Sequence, residues 1–285
     1  MDDEERLTNR EEVKSELYEE RSFRAVTTLD NSNCLVNFTI RLDDPLACDT
    51  FQTDEDGDIV PPRLSHHSLT IEFSRSTVIP LVGLQLWRGA LLLADYILTH
   101  RDEFENKNVL ELAAGVGFTS IVAGTIAKRV TCTDISTGGI LELIQRNLDR
   151  NRNLVKASSF VLEFDFYADE WSTSLEQNVK QAEIILAADV IYDNELSEVF
   201  VRCLTKIFKI APKKTLYLAL EKRYVFALED LDTVAPCYEH FFKYLRSFWT
   251  QPPMCNWKIE PVEIDFPQRI EYERTIHLVL WRFST

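Results

Sequence analysis

The 285-residue chain has no surplus of positive charge: Lys and Arg number 31 against 46 Asp and Glu, a net charge of −15. Broad binding to nucleic acid phosphates needs clustered cations, so direct nucleic acid binding is not expected. An acidic surface suits a basic protein partner, although most surface acids do no more than solvate. The opening residues, MDDEERLTNREEVKSELYEE, contain no apolar signal core and are too acidic for a mitochondrial transit peptide. No apolar run approaches the roughly 18 residues of a membrane span. None of the six cysteines (34, 48, 132, 203, 237 and 255) forms a C-x-x-C pair, and they read as free thiols of a reducing compartment. The five histidines (66, 67, 100, 240 and 277) show neither metal spacing nor a nucleophile partner. These absences lead us to expect a nuclear or cytoplasmic protein that is not secreted, touches no membrane and holds no metal; a monomer is also expected.

Apolar residues make up 45% of the chain, enough for a sizeable core. Residues 1–21 read as a charged tail, mobile or helical. Residues 22–77 read as a β-rich extension, in which "RAVTTLD" and "CLVNFTIRL" form a strand pair around an "NSN" turn and "SLTIEFS" adds a strand. Between them, Asp54, Glu55, Asp56 and Asp58 imitate part of a calcium loop but lack the closing glutamate, so a solvated loop is expected. From residue 78 to 285 the pattern changes. "LQLWRGALLLADYILTH" sets Trp87, Ala90, Leu91, Ala94, Ile97 and Leu98 on one helical face. The β-rich runs "NVLELAA", "RVTCTDI", "SFVLEFDF", "AEIILAAD" and "KTLYLALE" then alternate with helical stretches, which predicts an α/β fold with a mostly parallel sheet. "WKIEPVEI" and "TIHLVLWRF" leave no room for a helix between them and read as an antiparallel pair added at the end.

"NVLELAAGVGFTSIVAGTIA" is a strand, a glycine turn and a helix. Gly115 and Gly117 let a ligand approach the backbone, and Asp134, ending the next strand, suits the two hydroxyls of a ribose. Ser120 stands where a dinucleotide fingerprint places Gly or Ala. Glu111, two residues before the turn, suits a cationic ligand better than a pyrophosphate. S-adenosylmethionine carries a sulfonium, an ammonium and no phosphate. The alternative is a tight turn that only packs a helix on a strand.

These residues carry a family resemblance. "VLELAAGVG" followed by "CTD" resembles the cofactor motifs of the seven-β-strand (class I) methyltransferases, with their Rossmann-like fold. "LQLWRGALLLADYI" and "AADVIY" resemble the non-SET protein lysine methyltransferases called family sixteen, and "ALEKRYVFALEDLD" and "RIEYERTIHLVLW" are similar to its methyltransferase-like protein twenty-two group. The resemblance covers roughly residues 78–285. It implies S-adenosylmethionine as cofactor, with Trp87 at its methionine end. Glu111, Ala113, Gly115 and Gly117 would form the loop, Asp134 would hold the ribose, Asp165 and Phe166 would flank the adenine, and Ala188 would form the floor. It implies Asp189 and Tyr192, the family's Asp-x-x-Tyr, as catalytic residues. Two positions depart from the family: Ala113 stands for glycine, at little cost if its φ is negative, and Phe166 stands for Trp, which keeps a stacking face.

Each position also has a plainer reading. Trp87 fits a core helix face, Phe166 an ordinary strand, Asp165 a helix cap, and Asn147 and Asn151 the close of a helix. Glu221 and Arg223 read as lining the substrate entrance or as a structural ion pair. Cys132 reads as inert core. The resemblance implies a protein-lysine methyltransferase acting on a nucleic acid-binding nuclear protein, and the acidic charge suits a basic target; the alternatives are a non-catalytic interaction protein on the same fold or a methyltransferase for another amino acid or a small molecule. Text like "NPPY" or "DPPY" after the fourth strand, which marks amino-N nucleic acid methyltransferases, is absent.

Overall fold

In the computed structural model, the residues described are 12–20, 23, 27–28, 33–42, 52–53, 56, 59–60, 65–227, 232–249 and 257–284. An N-terminal hairpin of β1 (Asn33–Leu42) and β2 (Ser65–Ser74) precedes a seven-stranded sheet. The sheet is built from β3 (Asn108–Leu112), β4 (Arg129–Asp134), β5 (Ser158–Glu163), β6 (Ile184–Ala188), β7 (Thr215–Glu221), β8 (Lys258–Val262) and β9 (Leu278–Ser284), in the order β5-β4-β3-β6-β7-β9-β8. The first five strands are parallel, and β9 runs antiparallel to both β7 and β8. The helices are α1 (Arg88–Thr99), α2 (Phe118–Gly124), α3 (Ile140–Arg150), α4 (Thr173–Gln181), α5 (Asn194–Phe208) and α6 (Pro236–Trp249). The expected parallel sheet with an antiparallel C-terminal pair is therefore present.

The strands are apolar in nearly every position because both faces are covered, and alternation divides their side chains between two cores. Val109, Val130, Leu186 and Tyr217 belong to one, with Leu91, Ile97, Ile121 and Ile144 from α1, α2 and α3. Leu110, Ile185, Leu216 and Leu218 belong to the other, with Val179, Phe200 and Phe241 from α4, α5 and α6. Helix α1 has buried residues on nearly every side. The 21-residue stretch Ile79–Thr99, interrupted by Arg88 and Asp95, is by length and composition apolar enough to cross a membrane, but 67% of its qualifying 18-residue window is buried inside the fold.

The N-terminal region is not an appendage. Leu17, Phe23, Val36, Phe38, Leu69 and Phe73 belong to the same core as α1. Strand β2 is the edge of a three-stranded sheet, and its outward backbone groups are met by a helix. Asn147 on α3 accepts from Glu72 N at 2.8 Å and donates to Glu72 O at 2.9 Å. Asn151, just past the helix, accepts from Thr70 N at 2.9 Å and donates to Thr70 O at 2.7 Å. Both asparagines thus do more than close the helix. Of the charged tail expected to be mobile or helical, Glu16–Glu19 forms a short 3-10 helix, but residues 12–20 are no solvated tail: Glu12–Val13 pairs with Thr77–Val78, and Leu17 and Tyr18 are buried. Residues 1–11 and 21, and the acids Asp54, Glu55 and Asp58 of the calcium-like run, lie outside the described residues, while Asp56 is an exposed turn residue.

Candidate active site

A cavity of about 570 Å³ opens at the carboxyl ends of β3, β4, β5 and β6. Open parallel sheets bind ligands at this edge, where helix N-termini and turn amides converge. Its lining includes Trp87, Glu111, Ala113, Gly115, Asp134, Asp165, Phe166, Ala188, Asp189 and Tyr192. The chain brings these together from strand ends spread over a hundred residues. Gly117 is not part of the lining; it caps α2 at φ 78°. Glu221 and Arg223 do not line the cavity either.

The turn after β3 is tightly constrained. Gly115 has φ 56°, and a Cβ on it would lie 2.9 Å from Gly83 O. Ala113 has φ 51°, so the condition under which alanine would cost little, a negative φ, is not met. Alanine here takes the left-handed conformation that glycine adopts freely, at a cost of about 1–2 kcal/mol. Beneath the turn, Glu111 is 1% exposed and accepts a very short hydrogen bond from Ser120 Oγ. Burial pushes its pKa up to about 7, against the lowering effect of Ser120 and Thr119. Asp134 accepts from Gly115 N at 2.7 Å and Ile135 N at 2.8 Å, yet burial lifts its pKa to about 6.

Just after β5, Phe166 is 8% exposed and meets Phe164 edge-on at 5.3 Å. Asp165 Oδ1 accepts from Tyr167 N at 2.9 Å, closing a local turn; α4 begins only at Thr173, so Asp165 caps no helix. Trp87 departs from the expected helix face, for it is the extended residue before α1, and its Nε1 donates to Val82 O at 3.0 Å. Arg223 lies 4.7 Å over the Trp87 ring and pairs with Glu16 at 3.1 Å. Glu221 accepts from Arg88 at 3.1 Å and from Thr275 Oγ1 at 2.9 Å. Glu221 and Arg223 thus each pair with a third residue rather than with one another.

Asp189 follows β6 with φ 52°. Its Oδ2 accepts from Gly89 N at 2.6 Å and its Oδ1 from Glu221 N at 2.9 Å. The carboxylate therefore ties the start of α1 to the end of β7. Burial pushes its pKa up, opposed first by Arg223. Tyr192 is 41% exposed at the rim. Desolvation of its hydroxyl, with the Asp134 and Asp193 carboxylates nearby, lifts its pKa to about 12.

Two working residues escaped the sequence reading. Gly89 must be glycine, because a Cβ would stand 2.5 Å from Asp189 Oδ2. Its signal was a helix-weakening glycine inside an otherwise strong helical run. Ser120 was read only as a departure from the dinucleotide pattern, and its hydroxyl is the partner of Glu111. Cys132, 0% exposed and with a pKa raised to about 12, is inert core as expected. Among the described residues no cluster of His, Cys, Asp or Glu could hold a metal.

The charges in the lining are Glu111, Asp134, Glu163, Asp165, Asp189 and Asp193, with no Lys, Arg or His among the described lining residues. Such a wall offers no cation to a phosphate, and favours a ligand that is itself cationic.

Residues 65–247 match the family described as lysine methyltransferase. The chain is 37% identical over 233 residues to methyltransferase-like protein 22 of Mus musculus, covering 76% of this chain and 59% of that protein. It is 35% identical to the Homo sapiens protein of the same name, again over 76% of this chain and over 57% of the relative. It is 33% identical over 123 residues to protein-lysine methyltransferase METTL21E of Mus musculus, covering 41% and 48% of the two chains. The chain thus spans less than two thirds of the length of each of these relatives.

Proposed function

Because the chain belongs to the lysine methyltransferase family, we propose that it is an S-adenosylmethionine-dependent protein-lysine N-methyltransferase. The observation that carries this reading is that every described charged residue in the cavity lining is an acid. It suits a nucleoside bearing a sulfonium and an ammonium, and it suits no dinucleotide. Glu111, desolvated and hydrogen-bonded only by the neutral Ser120 and Thr119, is the counter-charge for the ammonium. Asp134 keeps lone pairs for ribose hydroxyls beyond its two backbone amides, and Phe166 with Phe164 offers apolar faces to the adenine.

The cofactor supplies a methyl group on sulfur for in-line displacement by an amine. The attacking lysine must be neutral, against an ordinary pKa of about 10.4. Trp87 and Tyr192 remove water from the ammonium and so favour its neutral form. Asp189 orients the amine through its N–H groups. It is no freely moving base, since both its oxygens already hold backbone amides. Water carries the released proton away. The protein is read as a monomer in the nucleus or cytoplasm, acting on a basic segment of a nucleic acid-binding protein. The net charge of −15 supports that choice of partner.

Transfer of labelled methyl from S-adenosylmethionine into a cell extract, followed by mass spectrometry of the labelled band, tests the reading. Methyl-lysine in a protein is expected with wild type and not with Asp189→Ala. Label found only in RNA or small molecules would overturn it.

A further inference from the structure

The wall that faces the glycine turn comes from residues 79–87. Trp87 Nε1 and Gln85 N donate locally to Val82 O, and Gln85 Nε2 donates to Thr77 Oγ1 at 2.7 Å, but the Gln85 side chain and the Leu86 amide also take partners from far away in the sequence. Ser15 N donates to Gln85 Oε1 at 2.9 Å, and Gln85 Nε2 donates to Val13 O at 2.9 Å. Leu86 N donates to the Tyr18 hydroxyl at 2.7 Å, 68 residues away in sequence. Gln85 is 1% and Tyr18 7% exposed, so water cannot replace these partners. Tyr18 is itself fixed by stacking on Phe73 at 4.7 Å.

The same segment reaches the acceptor side. Glu20 takes Arg88 Nε on one oxygen at 2.8 Å and Glu273 N on the other at 2.7 Å. Arg88 also binds Glu221, whose backbone N–H holds Asp189, and Gly89 beside it holds Asp189 directly. None of residues 12–20 lines the cavity.

We infer that residues 12–20 are a positioning strap for both halves of the active site. Tyr18, with Val13 and Ser15, sets the cofactor wall through Gln85 and Leu86. Glu20 sets the Asp189 corner through Arg88. A segment that only stabilises the fold would change unfolding without changing ligand affinity at temperatures where the protein is folded. A strap changes both. The inference rests on the cofactor reading above and adds these residues to it.

The test uses the full chain, S-adenosylhomocysteine as the probe in calorimetry, and thermal unfolding. Tyr18→Phe removes the acceptor of Leu86 N and is expected to weaken binding about tenfold, the scale of one buried hydrogen bond. Ile40→Val, in the hairpin core at 2% exposure, is expected to lower the unfolding temperature and leave the dissociation constant unchanged. Glu20→Gln is expected to keep binding and to lower labelled-methyl transfer at saturating cofactor by about tenfold or more, since one charged hydrogen bond is lost. If Tyr18→Phe behaves like Ile40→Val, or Glu20→Gln transfers at the wild-type rate, the strap is overturned. If wild type fails to bind S-adenosylhomocysteine, the cofactor reading falls and the strap falls with it.

Discussion

Strands β3 and β6 lie side by side, and each ends in a left-handed residue that is not glycine: Ala113 at φ 51° and Asp189 at φ 52°. The two ends differ in one acid. Asp134 and Asp189 are alike: each is a buried acid with a raised pKa whose two oxygens hold two backbone amides. Glu111 is what differs: it lies beneath the turn beside Ala113, takes its hydrogen bonds from neighbouring Ser120 and Thr119, and has its pKa raised to about 7. The first corner thus holds a buried acid that ties no distant elements together. The second is already assembled and uses its acid to fix the meeting point of α1, β6 and β7.

Gly89→Ala should break the assembled corner most severely. Its methyl would collide with Asp189 Oδ2, where the ideal Cβ lies 2.5 Å away. Displacing a group by an ångström from its working geometry costs roughly a hundredfold in rate. Methyl transfer should fall at least that far while S-adenosylhomocysteine binding, measured by calorimetry, changes far less. Equal losses of both would mean that the two corners are not separate.

Glu111→Gln should act in the opposite sense on stability. Removing a charged hydrogen-bonding partner worth about 1.5–3 kcal/mol should weaken S-adenosylhomocysteine binding about ten- to a hundredfold. The ligand-free protein should unfold at a higher temperature, because a neutral amide replaces a desolvated acid. Asp189→Asn should lower that temperature, since an amide nitrogen cannot accept from Gly89 N or Glu221 N. The same direction of shift for both variants would erase the contrast.

A pH series sharpens the comparison without mutation. Glu111 has its folded pKa raised to about 7 from an ordinary 4.5, and Asp134 to about 6 from 3.8. The stability they contribute is full below the ordinary values and is lost as pH rises through about 6 to 7. The ligand-free protein should therefore lose stability across pH 4.5 to 7. The extra stabilisation by S-adenosylhomocysteine should grow over pH 6 to 8, as Glu111 ionises. Thermal unfolding with and without the ligand measures both trends.

Ala113→Gly should have the smallest effect. Relief of about 1–2 kcal/mol of left-handed strain is partly cancelled by about 0.4–1 kcal/mol of added freedom in the unfolded chain. A net gain of up to about 1.6 kcal/mol is expected from denaturant unfolding. A loss would show that the alanine methyl makes contacts that outweigh its strain.

What the sequence disclosed was local. The run "NVLELAAGVG", the acid at Asp134 and the alternating strands are patterns within a few dozen residues, and periodicity reads those directly. The partners of these groups are distant. Gly89 and Asp189 are 100 residues apart, Tyr18 and Leu86 are 68, and Asn147 and Glu72 are 75. No local pattern announces such pairs. Residues 12–20 looked like a solvated tail because charges outnumber apolar residues there, and the two that matter most, Leu17 and Tyr18, have no periodic neighbours. The cost of Ala113 was open for a different reason: its small side chain hides a backbone conformation that composition cannot report.

The meeting of α3 with strand β2 turns on a near coincidence of lengths. Four residues of helix advance about 6.0 Å, and two residues of antiparallel strand advance about 6.8 Å. Asn147 and Asn151 on one side, and Glu72 and Thr70 on the other, are spaced by these intervals. Over one interval the mismatch is under an ångström, within the reach of a side-chain amide; over a second it would double and the rungs would no longer meet. The helix thus acts on the hairpin as a vernier does on a scale: only one alignment brings the marks together, and a slip of a single strand residue would turn Ile71 outward and leave both amides facing the wrong groups.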